Sequence, residues 1–270
     1  MKMTKPKRKK LKAIELFAGA GGMALGLQQA GIDVVGLVER DRMCLSTLAA
    51  NRKKAFPRAE IIEADISQIS GKWILKRAGL TKGQLDILSG GPPCQGFSFS
   101  SKNRSIDDPR SKLMWHFVRL IGEIKPRYFV IENVPGLLFF KDFFITLLEA
   151  LEVKGYAVRF NELDASSYGV PQRRIRILIE GARNDLKILP VFPEPTHFDL
   201  ENDKTMPPKS LVSVKCFSEN GFAKEQVRDV WWNTKLNILM NKKTAGETVT
   251  QAAREILLEE LMKMPTKKRA

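Results

Sequence analysis

An α/β fold, with a mainly parallel sheet and helices on both faces, is predicted by two features of this sequence. From Ala13 to about Glu180, short β-branched or apolar runs alternate with longer stretches of helical period. The first run also passes through a glycine-rich turn directly into a helical pattern, as strands of open parallel sheets do. The predicted strands are Ala13 to Phe17, Val34 to Val38, Glu60 to Ile62, Asp86 to Leu88, Tyr128 to Ile131 and Arg176 to Ile179. One helix can be read residue by residue. Asp108 caps it, Pro109 fits its first turn, and Leu113, Phe117, Leu120, Ile121 and Ile124 fall on one face that belongs to the core.

The chain has 270 residues, 43% of them apolar, enough for a large core plus an appendage. Three regions are predicted: a basic arm over 1–12, an α/β domain over 13–190, to which the motifs below assign the catalytic and cofactor-binding roles, and a linker with a small appendage over 191–270. Pro193, Pro195, Pro207 and Pro208 interrupt the linker, and the appendage carries Trp231, Trp232 and an amphipathic stretch with Ile256, Leu257, Leu261, Met262 and Met264. No internal repeat is visible. No apolar run reaches the roughly 18 residues of a membrane span, and the lysine-rich start lacks the apolar core of a signal peptide. A cytoplasmic, nucleoid-associated protein is expected.

The formal net charge is +15, of which Lys2, Lys5, Lys7, Arg8, Lys9, Lys10 and Lys12 supply seven, leaving +8 on the rest of the chain. An excess that persists beyond the arm suits a phosphate-rich partner, since each neutralised phosphate releases counterions. The arm itself reads equally well as a solubilising extension. Cys44, Cys94 and Cys216 are odd in number and too far apart for a metal knuckle or a disulfide framework, so each thiol is judged by its surroundings.

Phe17-Ala18-Gly19-Ala20-Gly21-Gly22 forms the glycine turn after the first strand, where small residues allow a ligand close to the backbone. It is not a complete dinucleotide-binding fingerprint, and a structural turn has the same composition. The next strand ends at Glu39, seventeen residues after Gly22, where a carboxylate can accept from both ribose hydroxyls of a nucleoside. Asp65, after the third strand, can receive an adenine amino group; either acid alone is also an ordinary surface carboxylate. The most informative segment is Ser89-Gly90-Gly91-Pro92-Pro93-Cys94-Gln95-Gly96-Phe97-Ser98. Most lone cysteines are inert and buried. This one sits in a polar turn at a strand end behind two stiffening prolines, which favours a reactive thiol.

With Phe17 to Gly22, Pro92-Pro93-Cys94-Gln95, Glu132-Asn133-Val134 and Gln172-Arg173-Arg174-Ile175-Arg176 in this order and spacing, the chain resembles the cytosine-5 DNA methyltransferases over roughly residues 12 to 197, through Phe192-Pro193-Glu194-Pro195-Thr196-His197. The resemblance implies a Rossmann-like S-adenosylmethionine-dependent methyltransferase fold, double-stranded DNA as substrate, S-adenosylmethionine as cofactor and S-adenosylhomocysteine as product. The implied cofactor-binding residues are Phe17, Ala18, Gly19, Gly21, Gly22, Glu39, Arg40, Asp65, Ile66 and Pro93. Cys94 is implied as the nucleophile toward cytosine C6, and Glu132 as the hydrogen-bonding partner of the N3 and N4 edge. Asn133 would brace the Pro-Cys loop, Arg176 would contact the O2 side while orienting Glu132, and Arg174 would make backbone or phosphate contacts. The base must leave its stack, and the polar segment from Gln95 to Asp108 is the expected cover.

Two terminal segments of the family, Gln-x-Gly-Asn and the Arg-Glu-x-Ala-Arg-Leu-Gln helix, are missing; Ala252-Ala253-Arg254-Glu255 is a faint echo of the second. The chain therefore looks like the first subunit of a divided enzyme, with a second polypeptide supplying the recognition domain and those segments, or like a truncated member. RNA cytosine-5 methylation is the alternative activity, a nicotinamide- or flavin-dependent dehydrogenase leaves Cys94, Glu132 and Arg176 unexplained, and a non-catalytic DNA-binding remnant is the alternative outside enzymes.

Overall fold

The computed structural model describes residues 10–93 and 111–197. Within them the chain runs β1 (Lys12–Leu16), α1 (Gly22–Gln29), β2 (Asp33–Glu39), α2 (Arg42–Ala55), β3 (Glu60–Glu63), α3 (Gly71–Arg77), β4 (Ile87–Gly90), α4 (Ser111–Ile124), β5 (Tyr128–Asn133), α5 (Lys141–Val153), β6 (Tyr156–Asp164) and β7 (Ile175–Arg183), with short 3-10 turns after β5, β6 and β7. The arm through Lys9, the Gln95 to Asp108 segment with Cys94, and everything after His197, Cys216 and both appendage tryptophans included, lie outside the described residues.

The strands form one sheet in the order β3-β2-β1-β4-β5-β7-β6. The first five are parallel, while β7 runs antiparallel to both β5 and β6. This is an open Rossmann-like sheet whose strand order reverses between β1 and β4. Alternation along each strand sends side chains to opposite faces. Ile14, Leu16, Val38, Leu88, Phe129 and Ile131 enter the larger core, with the apolar sides of α3, α4 and α5. Ala13, Val34 and Leu37 enter the smaller one with Ala24, Leu48 and Phe56 beneath α1 and α2.

Each predicted strand is present within a few residues. Phe17 lies outside β1 because its backbone turns left-handed, with φ 55°. The apolar face predicted from Leu113 to Ile124 is the buried side of α4, with Phe117, Leu120, Ile121 and Ile124 fully buried. Asp108 and Pro109 lie outside the described residues. The antiparallel strand β6 is absent from the expectation. Its Arg159-Phe160-Asn161-Glu162 stretch breaks the apolar signal, and as the edge strand of the sheet it needs only one hydrogen-bonded neighbour.

Phe129 sits in β5 with no exposed surface and meets Tyr156 edge-on, centroids 5.1 Å apart. Phe129→Ala should lower the unfolding free energy by about 3–5 kcal/mol, read from urea denaturation; a loss below about 1 kcal/mol would contradict its place in the core.

Candidate functional site

In open parallel sheets a ligand crevice forms where strand order reverses, because successive connections leave on opposite faces. Here that point lies between β1 and β4. A cavity of about 220 Å³ opens at the carboxyl ends of these strands, lined by Phe17, Val38, Glu39, Arg40, Ala64, Asp65, Ile66, Gly91, Pro93 and Leu113. Six of the residues expected from sequence, Phe17, Glu39, Arg40, Asp65, Ile66 and Pro93, thus face one space.

The turn above β1 is shaped by local backbone chemistry. The Ala18 N–H donates to the Val38 carbonyl at 3.1 Å and the Gly21 N–H to the Ala18 carbonyl at 2.8 Å, folding the chain back over the sheet. Gly21 has φ 90°, and a Cβ there would meet Leu48 and Phe56 at 2.9 Å, so only glycine fits between the turn and the core. Gly22 opens α1. The Gly19 N–H donates to Glu39 Oε2 at 2.8 Å, while Glu39 Oε1 accepts from the Arg40 and Asp41 N–H groups at 2.7 and 2.9 Å. Three of the roughly four acceptor sites of this carboxylate are therefore in use. One ribose hydroxyl can be added directly; a second must share with a backbone donor.

Asp65 accepts from the Ser67 N–H at 2.9 Å and from Arg40 Nη1 at 2.9 Å. The Ser67 hydrogen bonds, with Arg40 adding to them, hold its carboxyl below the usual range. A residue that the sequence reading passed over fixes this wall: Arg119 of α4 donates to the carbonyls of Ile66 and Ile69 at 2.7 and 3.1 Å and pairs with Glu123 at 2.7 Å. No motif marks it, since its partners are backbone groups some fifty residues away.

A second group stands at the end of β5 and the start of β7, beside Gly91 of the cavity wall. Glu132 and Asn133 end β5. Arg176 Nε lies 2.8 Å from Glu132 Oε1, and its Nη1 donates to the Ile175 carbonyl at 2.7 Å. Gly91 makes room for this pair, because a Cβ there would come within 2.9 Å of Glu132 Oε2. Asn133 is buried, donates from Nδ2 to the Pro92 carbonyl at 3.2 Å, and accepts the Val134 N–H at 2.9 Å. It thus ties β5 to the chain two residues before Cys94. Arg174 is exposed; its backbone N–H donates to Asp164 and its carbonyl accepts from Ala165, with no side-chain contact to the Glu132–Arg176 pair among the described residues. Cys44, on α2, is the one cysteine described, and burial first, then Asp41, pushes its thiol up, away from thiolate.

The family model for C-5 cytosine-specific DNA methylase matches residues 11–267. The chain is 43% identical over 187 residues to the Type II methyltransferase M.XorII of Xanthomonas oryzae pv. oryzae, covering 68% of this chain and 43% of that one. It is 40% identical over 198 residues to the Type II methyltransferase M.AquIA of Picosynechococcus, covering 69% and 77%. A crystal structure described as a DNA modification methyltransferase encoded within an E. coli prophage superposes with TM-score 0.57 at 33% identity, over 69% of this chain and 52% of that one. The chain belongs to the C-5 cytosine-specific DNA methylase family. It spans less than half the length of the Xanthomonas relative and about three quarters of the Picosynechococcus one.

Asn133→Ala removes one donor and one acceptor from a buried site. The unfolding free energy should fall by about 1–3 kcal/mol, and proteolysis near Pro92 should become faster; an unchanged denaturation midpoint would rule out a bracing role.

Proposed function

We propose that the protein transfers a methyl group from S-adenosylmethionine to C5 of cytosine in double-stranded DNA, through a covalent bond between Cys94 Sγ and C6. The observation that carries this reading is the pairing of Glu132 with Arg176 beside Gly91, together with the hydrogen bond from Asn133 to the Pro92 carbonyl, at the strand end from which Cys94 follows. Family membership supports it.

The cavity fits the cofactor. Phe17, Val38, Ile66 and Leu113 give apolar walls suited to a purine, Glu39 retains acceptor capacity for ribose, and Asp65 accepts at the adenine edge. Bound there, S-adenosylmethionine supplies an electrophilic methyl group. Cytosine C5 is a poor nucleophile until C6 is attacked. The Cys94 thiolate adds to C6, and Glu132 hydrogen-bonds the N3 and N4 edge to stabilise the charge that then builds on the ring. Arg176 fixes the Glu132 carboxylate and faces the O2 side. After C5 is methylated, loss of its proton and of the thiolate from C6 restores the aromatic ring and frees Cys94. The base reaches this site by leaving the duplex, with the segment from Gln95 to Asp108 covering it. The basic arm and the excess positive charge serve phosphate contacts.

The reading includes a second polypeptide that carries the recognition domain and the family's two terminal segments. Base-edge contacts then come from that partner, and the restriction-modification setting of the Type II relatives is the proposed context.

Duplex DNA containing 5-fluorocytosine should trap a covalent adduct at Cys94, because fluorine blocks the elimination step. Cys94→Ala should give none; an adduct mapping to Cys44 or Cys216 would reassign the nucleophile. Glu39→Ala should weaken S-adenosylhomocysteine binding by about 1.5–3 kcal/mol in calorimetry, acting on affinity rather than on the chemical step. Unchanged affinity in a folded variant would remove Glu39 from the site. Alone, the chain should bind DNA weakly, with steep salt dependence, and methylate little; robust site-specific methylation by the isolated chain would exclude the need for a partner.

A further inference from the structure

The starts of β1 to β6, the end of β7 and the last turns of α2 to α5 share the end of the sheet opposite the crevice. Among the described residues, lysines and arginines well outnumber acids at that end, while acids outnumber bases over the rest. The acids at the strand starts there are already engaged. Asp33 pairs with Arg58 at 2.8 Å, Glu60 with Arg77, and Asp86 with Arg127 at 3.3 Å. Lys10, Lys53, Lys54 and Lys76 are exposed and pair with no acid among the described residues.

The helix dipole draws a cation or two to a last turn. It does not account for the whole face, because α2 alone ends on Arg52, Lys53 and Lys54, and Lys10 and Lys82 lie outside any last turn. Ordinary protein surfaces intersperse both signs, whereas a field of one sign suits a polyanion. The basic run that ends at Lys9 precedes Lys10 in sequence and so joins the fold at this same end. Five residues of β1, roughly 17 Å of strand, separate that junction from the glycine turn. The end is wide as well: seven strands about 4.8 Å apart make it roughly 29 Å across, close to one turn of duplex DNA at about 34 Å.

We propose that this end of the sheet, with the basic arm that joins it, is a second DNA-binding surface that grips the phosphates of a duplex other than the one entering the crevice. The inference rests on the reading of duplex DNA as the substrate. Lysines bind phosphate as flexible point charges and read no base, so the grip is independent of sequence. A rigid duplex lying across this end cannot also enter a crevice at the opposite end of the strands, so the two contacts engage different segments. Holding one segment keeps the crevice at a high effective concentration of neighbouring DNA, and a grip made by exchange with counterions loosens readily enough for the protein to move on.

The test fills the crevice first. The full chain, with its complementary polypeptide where trapping requires one, is joined to DNA bearing 5-fluorocytosine in place of cytosine, and the flanks are trimmed by nuclease. A labelled random duplex of about one helical turn is then titrated by fluorescence anisotropy between roughly 50 and 200 mM salt. The trapped protein should still bind it. Combining Lys53→Gln, Lys54→Gln and Lys76→Gln should flatten the slope of log affinity against log salt by about 2–3 and leave the yield of trapped adduct unchanged. Acetylation of lysines in the wild-type chain gives a readout independent of any variant's folding: the second duplex should protect Lys53, Lys54 and Lys76. A trapped protein that takes no second duplex, or lysines that stay reactive while one is bound, overturns the proposal. So does tighter binding to phosphatidylserine vesicles than to duplex at equal salt, which would assign the face to a membrane surface. If no adduct forms, the catalytic reading falls, and the same footprint on the untrapped chain decides the far face.

Discussion

The reversal of strand order between β1 and β4 is the constraint on which the rest of the molecule depends. Because β2 and β3 build outward on one side of β1 and β4 and β5 on the other, the connections above β1 and β4 diverge. A gap at their carboxyl ends follows from topology before any side chain is considered. Four segments far apart in sequence then line one crevice, through Phe17, Glu39 with Arg40, Asp65 with Ile66, and Gly91 with Pro93, and a fifth, Glu132 with Asn133, stands beside Gly91. The antiparallel return of β7 beside β5 places Arg176 against Glu132. A parallel strand in that position would present its opposite end to the crevice.

Glu39 and Asp65 line the cavity, Glu132 ends β5 and Glu15 is buried within β1, and the sheet treats these four carboxylates differently. Glu39 is held by three backbone N–H groups, which fixes its direction at little cost in side-chain entropy. Asp65 and Glu132 each have an arginine, with side chains about a quarter exposed. Ion pairs that open to water contribute roughly 0–1 kcal/mol to stability, so their value here is orientation. Glu15 is 2% exposed, and no arginine pairs with it among the described residues. An ionised acid in such a place would be costly, and the neutral form is the stable one in the free protein.

Much of this was legible in the sequence because its signals are local. Glycines beside a strand end, an acid ending the next strand, and Pro-Pro before Cys94 each state a backbone requirement within a few residues. Glu132 and Arg176 were legible through the family resemblance, since 44 positions separate them and only the antiparallel register brings them into contact. Glu15 was not legible as a special residue. In sequence it is one acid in an apolar strand, and its burial depends on α1 lying over it and on Ser89 beside it. Strand β6 was missed for a related reason, as its polar residues are tolerated only because it forms the edge.

Helix α4 joins the two halves of the site. Its first turn places Leu113 in the cavity wall, and one turn and a half further on Arg119 grips the carbonyls of Ile66 and Ile69 after β3. The segment that carries Cys94 leaves the described structure at Pro93 and re-enters at Ser111, and Pro93 and Leu113 both line the same cavity. Both ends of that segment are therefore fixed by the walls that would enclose the cofactor. Packing of Phe117, Leu120 and Ile121 against the sheet holds α4 in place. The core face of one helix consequently sets both where the segment between Pro93 and Ser111 is anchored and how wide the crevice stands, so neither can shift without changing the other.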